Sequence, residues 1–191
     1  MRFFVQNEEL QNALTFYVRK NAFYFPRVPL EDTDFAFTFS KAWIEEQKEK
    51  NFGFIPFDQM LQTFRSDLAT RGVDAGKVYM AYKEDDFKTK CHALERNDQA
   101  LALVQAYVAR LGHFLPELFQ SLSPEDREHY LETYYGKLLF FRSLVPTKSF
   151  LRLIELYQKG NIRVVNGLDE IRPQPYGTFI VQAALTETAD V

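Results

Sequence analysis

One cysteine, Cys91, and one tryptophan, Trp43, are all that 191 residues hold of those two types. A lone thiol excludes an internal disulfide framework and any multi-cysteine zinc site, and it fits a reducing compartment, so the cytoplasm is the expected address. Long apolar runs are missing as well. No stretch approaches the roughly 18 apolar residues that span a bilayer, and the opening MRFFVQNEEL has acids by position 8 and no apolar core of signal-peptide length. Membrane insertion and secretion are not expected. Excess charge of one sign is also lacking, with 23 Lys and Arg against 26 Asp and Glu and a formal charge of −3. Phosphate backbones and anionic lipid are held by clustered cations, so neither nucleic acid nor a membrane is an expected partner.

Glycine is sparse and spread out. Gly53, Gly72, Gly76, Gly112, Gly136, Gly160, Gly167 and Gly177 never fall two apart, so neither a G-x-G-x-x-G loop nor the glycine pair of a P-loop can be written on this chain. Dinucleotide phosphates find no fingerprint loop here. No G-x-S-x-G elbow surrounds any of the six serines either.

What is abundant is aromatic surface, 19 Phe and 10 Tyr, in a chain that is 46% hydrophobic and 26% charged. That balance belongs to a globular fold with a phenylalanine-rich core. The pattern along the chain is mainly helical. Asn7 followed by Glu8 and Glu9, with Leu10, Leu14, Tyr17 and Val18 at helical spacing, predicts a helix near 8–20. Pro26 and Pro29 then precede an alternation of Phe35, Phe37 and Phe39, read as irregular or extended chain with a short strand as its regular form. Residues 41–51 predict a charged surface helix with Trp43 and Ile44 on its buried edge. Asp58 is placed to cap a helix bearing Leu61, Phe64 and Leu68, with Gly72 as its terminator.

Residues 74–97 fit helix or strand, with helix preferred, and KEDDFKTK within them reads as a solvated mixed-charge stretch. Residues 98–111 are the clearest periodic element, with Leu101, Val104, Val108 and Leu111 on one stripe. Ser123-Pro124-Glu125-Asp126 is a helix start predicted to run at least to Tyr135. Thr147 is placed to cap a further helix with Phe150, Leu151, Ile154 and Tyr157 inward and Gly160 at its end. Residues 161–166, 168–172 and 177–185 then read as strands separated by the turn signals Asn166-Gly167 and PQPYG. The expected fold is therefore mainly α (α+β), a multi-helix bundle with a small C-terminal β element of two or three short strands. It is read as a single domain over 1–191, helical to about 160 and strand-rich over 161–185.

Chemistry-bearing residues form no strong constellation. Cys91 and His92 are adjacent, and neighbours in a helix point about 100° apart, so they do not make a thiolate and base. Glu125 and His129 lie four apart and share a helix face, but two ligands without an H-E-x-x-H partner make a weak metal site, and a solvated pair is the preferred reading. His113 is read as a partly buried packing residue, and the adjacent Asp85 and Asp86 as part of a charged run. Lys148, Arg152, Lys159, Arg163 and Arg172 read as a solvated helix face, with a phosphate or partner contact as the alternative. No residue is assigned a catalytic or metal-binding role, and no cofactor-binding residue is named.

The stretch from Leu115 to Val181 has a more specific order. Its matching positions are Leu115, Pro116, Leu122, Pro124, Glu125, Arg127, Leu131, Arg142, Pro146, Ile154, Leu156, Gly160, Ile162, Val164, Gly167, Ile171, Phe179 and Val181. In this order, over about a third of the chain, it resembles the interior of a broad family of FAD/NAD(P)-binding oxidoreductase-like proteins. In that family a helical segment interrupts the nucleotide-binding architecture. The family's glycine-rich FAD loop has no counterpart here. The resemblance therefore implies a fragment of a longer chain, a non-catalytic lid or substrate-side helical domain of a flavin-dependent oxidoreductase. FAD and NAD(P) belong to that parent, none is bound by this chain alone, and the partner is the remainder of the parent chain. Beside it stands a freestanding helical interaction module whose FGFIPF stretch at 52–57 docks a partner or a second copy as a homo-oligomer. A small enzyme that gathers Glu125, His129, His92 and Asp85 in a cleft is the third expectation.

Overall fold

Local stop and start signals set most of the helices in the computed structural model, which describes residues 14–18, 25–83 and 87–183. Helix α1 (Lys41–Lys50) begins where the Ser40 hydroxyl accepts from the Trp43 amide, and it buries Ile44. Helix α2 (Phe57–Ala69) ends at Gly72, whose φ of +67° suits a residue without a Cβ. The Gly72 amide donates to the Ala69 carbonyl and the Val73 amide to that of Leu68, which satisfies the helix's last carbonyls. Helices α3 (Ala75–Tyr82) and α4 (Phe87–Glu95) fill the stretch for which helix was preferred. Helix α5 (Gln99–Leu111) is capped by Asp98 and buries Leu101, Val104, Val108 and Leu111 as its periodicity predicts.

Helices α6 (Leu115–Gln120) and α7 (Pro124–His129) come next, the latter capped by Ser123. A π-helical turn (Tyr130–Tyr134) carries α7 without a break into α8 (Tyr135–Arg142). Helix α9 (Thr147–Gln158) ends at Gly160, again at positive φ. Strand β1 is Leu14–Val18, β2 Phe25–Pro26, β3 Leu144–Val145, β4 Ile162–Asn166, β5 Leu168–Pro173 and β6 Phe179–Ala183. The fold is mainly α with a few short strands. Among the described residues no helix is long and apolar enough to cross a membrane.

Several expectations change. Residues 14–18 are not helical: β1 runs parallel to β4, with Leu14 opposite Ile162 and Val18 opposite Asn166. Leu14, Tyr17 and Val18 have helical spacing, but Thr15, Phe16, Tyr17 and Val18 are β-branched or aromatic, and a distant strand supplies the ladder. The rest of the helix predicted near 8–20 lies outside the described residues. Phe35, Phe37 and Phe39 alternate without pairing into a strand. Asp58 sits inside the first turn of α2, and the Asp126 carboxylate, from α7, accepts the Phe57 amide at 3.2 Å instead. Thr147 lies just inside α9 and donates its hydroxyl to the Arg27 carbonyl at 2.6 Å. Leu151, about 100° round the helix from Phe150, faces solvent, as does Tyr157 in the last turn, while Leu153 is buried. Lys90, from the stretch read as solvated, is only 2% exposed, with its Nζ 5.2 Å from the centre of the Phe25 ring. The strands at 168–173 and 179–183 form an antiparallel hairpin across the PQPYG turn, whereas the Asn166-Gly167 signal separates β4 from β5 without pairing them to each other.

Two clusters form the core. The larger gathers α1, α2, α3 and α5 with Leu118, Leu122 and Phe141, and the smaller joins Cys91 to Phe150, Leu153, Ile154 and Ile162. Between β2 and α1 the chain crosses α5 as an irregular strap, and buried side chains satisfy its backbone. Gln105 donates to the Pro26 carbonyl at 3.0 Å and accepts the Val28 amide at 2.9 Å. Asp67 of α2 accepts the Thr38 amide at 2.7 Å, the Thr38 hydroxyl at 2.6 Å and the Tyr107 hydroxyl at 2.6 Å. Phe35, Phe37 and Phe64 pack around the Tyr107 ring with centroids at 6.0, 4.9 and 5.1 Å.

A buried amide or carbonyl stripped of its partner costs about 1–3 kcal/mol. Gln105→Leu keeps much of the volume but orphans both strap groups, and it is expected to lower stability by about 2 kcal/mol, read as a lower urea midpoint at unchanged slope. A second expectation concerns alkaline pH. Burial first, then the hydrogen bond and charge of Asp67, push the Tyr107 hydroxyl far above its ordinary value near 10, against a small opposing effect of Arg110. A group whose folded value is raised stabilises fully below its unfolded value and less as pH climbs past it, because the unfolded chain loses the proton first. Stability should therefore fall above about pH 10, and less steeply in Tyr107→Phe, as tracked by urea melts from pH 8 to 11.

Candidate functional site

Where α2, α3, α5 and α8 meet, the structure has a pocket of about 610 Å³. That lies within the range of small-molecule sites, roughly 300–1,000 Å³. Phe57, Met60, Leu61 and Phe64 from α2 form one wall, with Tyr79 and Met80 from α3 beside them. Val108 and Leu111 from α5 form the floor, since α5 is buried on that stripe. Leu138 and Phe141 from α8 complete the lining with Tyr130 and Tyr134.

The two tyrosines come from the π-helical turn. Such a turn inserts one residue into the helical repeat and shifts the phase of the next helical segment, and it is frequent at functional sites. Here Tyr130 and Tyr134 both reach the Phe57 ring edge-on, with centroids at 5.9 and 5.0 Å. Burial pushes the Tyr130 hydroxyl above the usual tyrosine range, assisted by Tyr135 and opposed by Arg142, so it remains a donor at neutral pH. The charged side chains in the lining are Arg65, Asp74 and Lys137. Asp74 is occupied with capping α3, accepting the Gly76 and Lys77 amides at 2.8 and 3.1 Å. The Lys137 ammonium lies 4.8 Å from the centre of the Tyr134 ring, a cation–π contact.

The residues singled out from sequence lie elsewhere and do not converge. Cys91 is buried in the smaller core, while His92 points away and pairs its Nδ1 with Glu95 at 2.9 Å. Glu125 and His129 are exposed, and His129 lies edge-on to Phe57 and Tyr134 with centroids at 5.7 and 5.5 Å. His113 is exposed rather than packed, because it lies past the end of α5 in a turn. Asp85 and Asp86 lie outside the described residues. Among the described residues no three His, Cys, Asp or Glu side chains converge as metal ligands. Arg152 and Lys159 both pair with Glu155, whose carboxyl is held below its ordinary range by the Lys159 and then the Arg152 hydrogen bond. Arg172 pairs with Glu170, and Lys148 and Arg163 are exposed, but the expected helix face does not form, since Arg163 and Arg172 lie on β4 and β5. FGFIPF divides, with Phe52 and Phe54 99% and 47% exposed while Ile55 and Phe57 are buried. None of Arg65, Tyr79, Tyr130, Tyr134 or Lys137 stands out in the sequence, where the aromatic excess is the one signal that points toward them.

Compared with family models, with curated proteins and with solved structures, the chain matches none. The Leu115–Val181 motif thus rests on its own residues, many of which have local structural roles. Pro116 and Pro124 start helices, Gly160 ends one, and Leu122, Ile154 and Ile162 are buried packing residues. Arg127 donates to the Phe119 and Gln120 carbonyls, tying the end of α6 to α7.

Proposed function

We propose that this chain is a helical binding module that takes an apolar small molecule in the pocket between α2, α3, α5 and α8. The observation behind this reading is an open pocket of about 610 Å³ lined mainly by apolar and aromatic side chains. The edge-to-face rings hold it open, and the few polar groups are of the kind that orient a ligand rather than react with it.

The neutral dye N-phenyl-1-naphthylamine should brighten saturably, at one site per chain, on titration into the purified protein. Leu138→Trp and Ala69→Trp each place an indole at a lining position and should weaken dye binding about tenfold or more, a loss of about 1.4 kcal/mol, while melting temperature and helicity stay near wild type. Dye binding that does not saturate, or that survives both substitutions in folded protein, overturns the reading.

A second reading, that the module is the lid or substrate-side wall of an FAD/NAD(P)-dependent oxidoreductase, draws support from the β5–β6 hairpin. Ile171 and Phe179 on one face of it and Ile180 on the other are 54, 64 and 53% exposed, and a two-stranded ribbon is marginal on its own. In that setting the pocket would face the parent's substrate and exclude water from it. Calorimetry of the chain with FAD and with NADPH should give no heat of tight binding, because no backbone loop cradles the pyrophosphate. Micromolar binding of either dinucleotide by this chain alone would remove the reading.

A further inference from the structure

We infer that the pocket's ligand is an amphipathic anion, an apolar body ending in a carboxylate or similar oxyanion that Arg65 of α2 and Lys137 of α8 receive. The inference rests on the pocket reading and adds the chemistry of the ligand's polar end.

Positive charge is left unanswered in the lining. Three charged side chains border an otherwise apolar cavity. The anion among them, Asp74, already accepts two amides at the start of α3, where the helix's own positive end also faces it. Neither Arg65 nor Lys137 has a carboxylate within ion-pair distance among the described residues, although elsewhere Lys48, Lys50, Arg71, Arg152, Lys159 and Arg172 all do. Two helices thus each bring an unneutralised cation to one apolar space. The contact with Tyr134 keeps the Lys137 ammonium at the lining. Arg65 offers a planar fork that matches a carboxylate in two-point geometry.

The hydroxyls of Tyr79, Tyr130 and Tyr134 extend the same pattern. All three belong to lining residues, and among the described residues none has a hydrogen-bond partner in the protein. A protonated phenol is a donor suited to an oxyanion. A cationic head would meet two like charges, whereas an oxyanion gains charge-assisted contacts with the exposed Arg65 and the half-buried Lys137 that a neutral head lacks.

Displacement of bound N-phenyl-1-naphthylamine by matched ten-carbon probes tests this directly. Decanoate should displace the dye at a concentration about tenfold lower than decanol, and decylamine should be the weakest of the three. Raising salt should narrow the gap between decanoate and decanol, as it does for partly exposed charges. In Arg65→Gln and Lys137→Gln the preference of decanoate over decanol, measured within each variant, should shrink severalfold each, and in the double variant decanoate and decanol should displace alike. Equal displacement by decanoate and decanol in the wild-type protein overturns the anion seat while leaving the pocket reading intact. A preference that survives the double variant overturns the assignment to these two cations. Failure of the dye itself to bind removes the pocket reading and this inference with it.

Discussion

A strap of backbone without secondary structure crosses the central helix, and the fold depends on how its polar groups are answered there. Much of the stretch between β2 and α1 is exposed, but at Pro26 and Val28 it is buried against α5, where a bare amide or carbonyl is costly. A β-ladder would be the ordinary solution, but Pro26 and Pro29 lack amide hydrogens, which weakens any strand through this stretch. Gln105 substitutes for a neighbouring strand by presenting its side-chain amide to Pro26 and Val28, one donor and one acceptor. Asp67 does the same at the far end for Thr38, and Tyr107 links that carboxylate back to α5. The strap in turn places Phe35, Phe37 and Phe39 around Tyr107, and Phe39 lines the pocket. A handful of buried polar groups therefore positions much of the aromatic material that shapes the site.

How much of this is legible in the sequence depends on the range of the interactions involved. Ser123, Asp98, Gly72 and Gly160 act on amides or carbonyls within a few residues, so the helix ends they set are readable from order alone. The 14–18 strand is not, because its partner begins at Ile162 and nothing near Leu14 announces it. Gln105 illustrates the same limit on α5, where a glutamine inside the stripe of Leu101, Val104 and Val108 looks like a lapse in periodicity. It is instead the residue whose long-range partners lie 77 and 79 positions earlier. Asp126 capping α2 from another helix is a third case, since 69 residues separate it from Phe57.

The candidate site is less legible than the fold for a related reason. Arg65, Tyr79 and Lys137 come from three helices and Tyr134 from the π-helical turn that leads into one of them, and each looks like an ordinary surface residue when read in its own segment. The π-helical turn adds a second obstacle. Regular 3.6-residue spacing puts Tyr130 and Tyr134 about 40° apart on one face, but it does not forecast the local unwinding that sets both against Phe57. Composition holds the remaining clue. An aromatic share of 16% supplies much flat, rigid surface, and the pairs observed are mostly edge-to-face.

That packing mode explains why this core keeps a pocket. Aliphatic side chains have several rotamers and can collapse into a void, whereas rings locked edge-on by their quadrupoles resist sliding flat against each other. Phe57 illustrates the constraint: His129, Tyr130 and Tyr134 each meet it at interplanar angles of 63° or more. Closing the cavity would require several of these contacts to break together, and the apolar surface left open is instead hydrated at a free-energy cost. A ligand whose apolar body displaces that water recovers the cost and binds only the folded chain, so it stabilises the fold in proportion to the logarithm of its concentration. If the pocket takes the ligand proposed above, the aromatic contacts around it make ligand binding and fold stability one coupled equilibrium, and Arg65 and Lys137 set which end of that ligand stays near water.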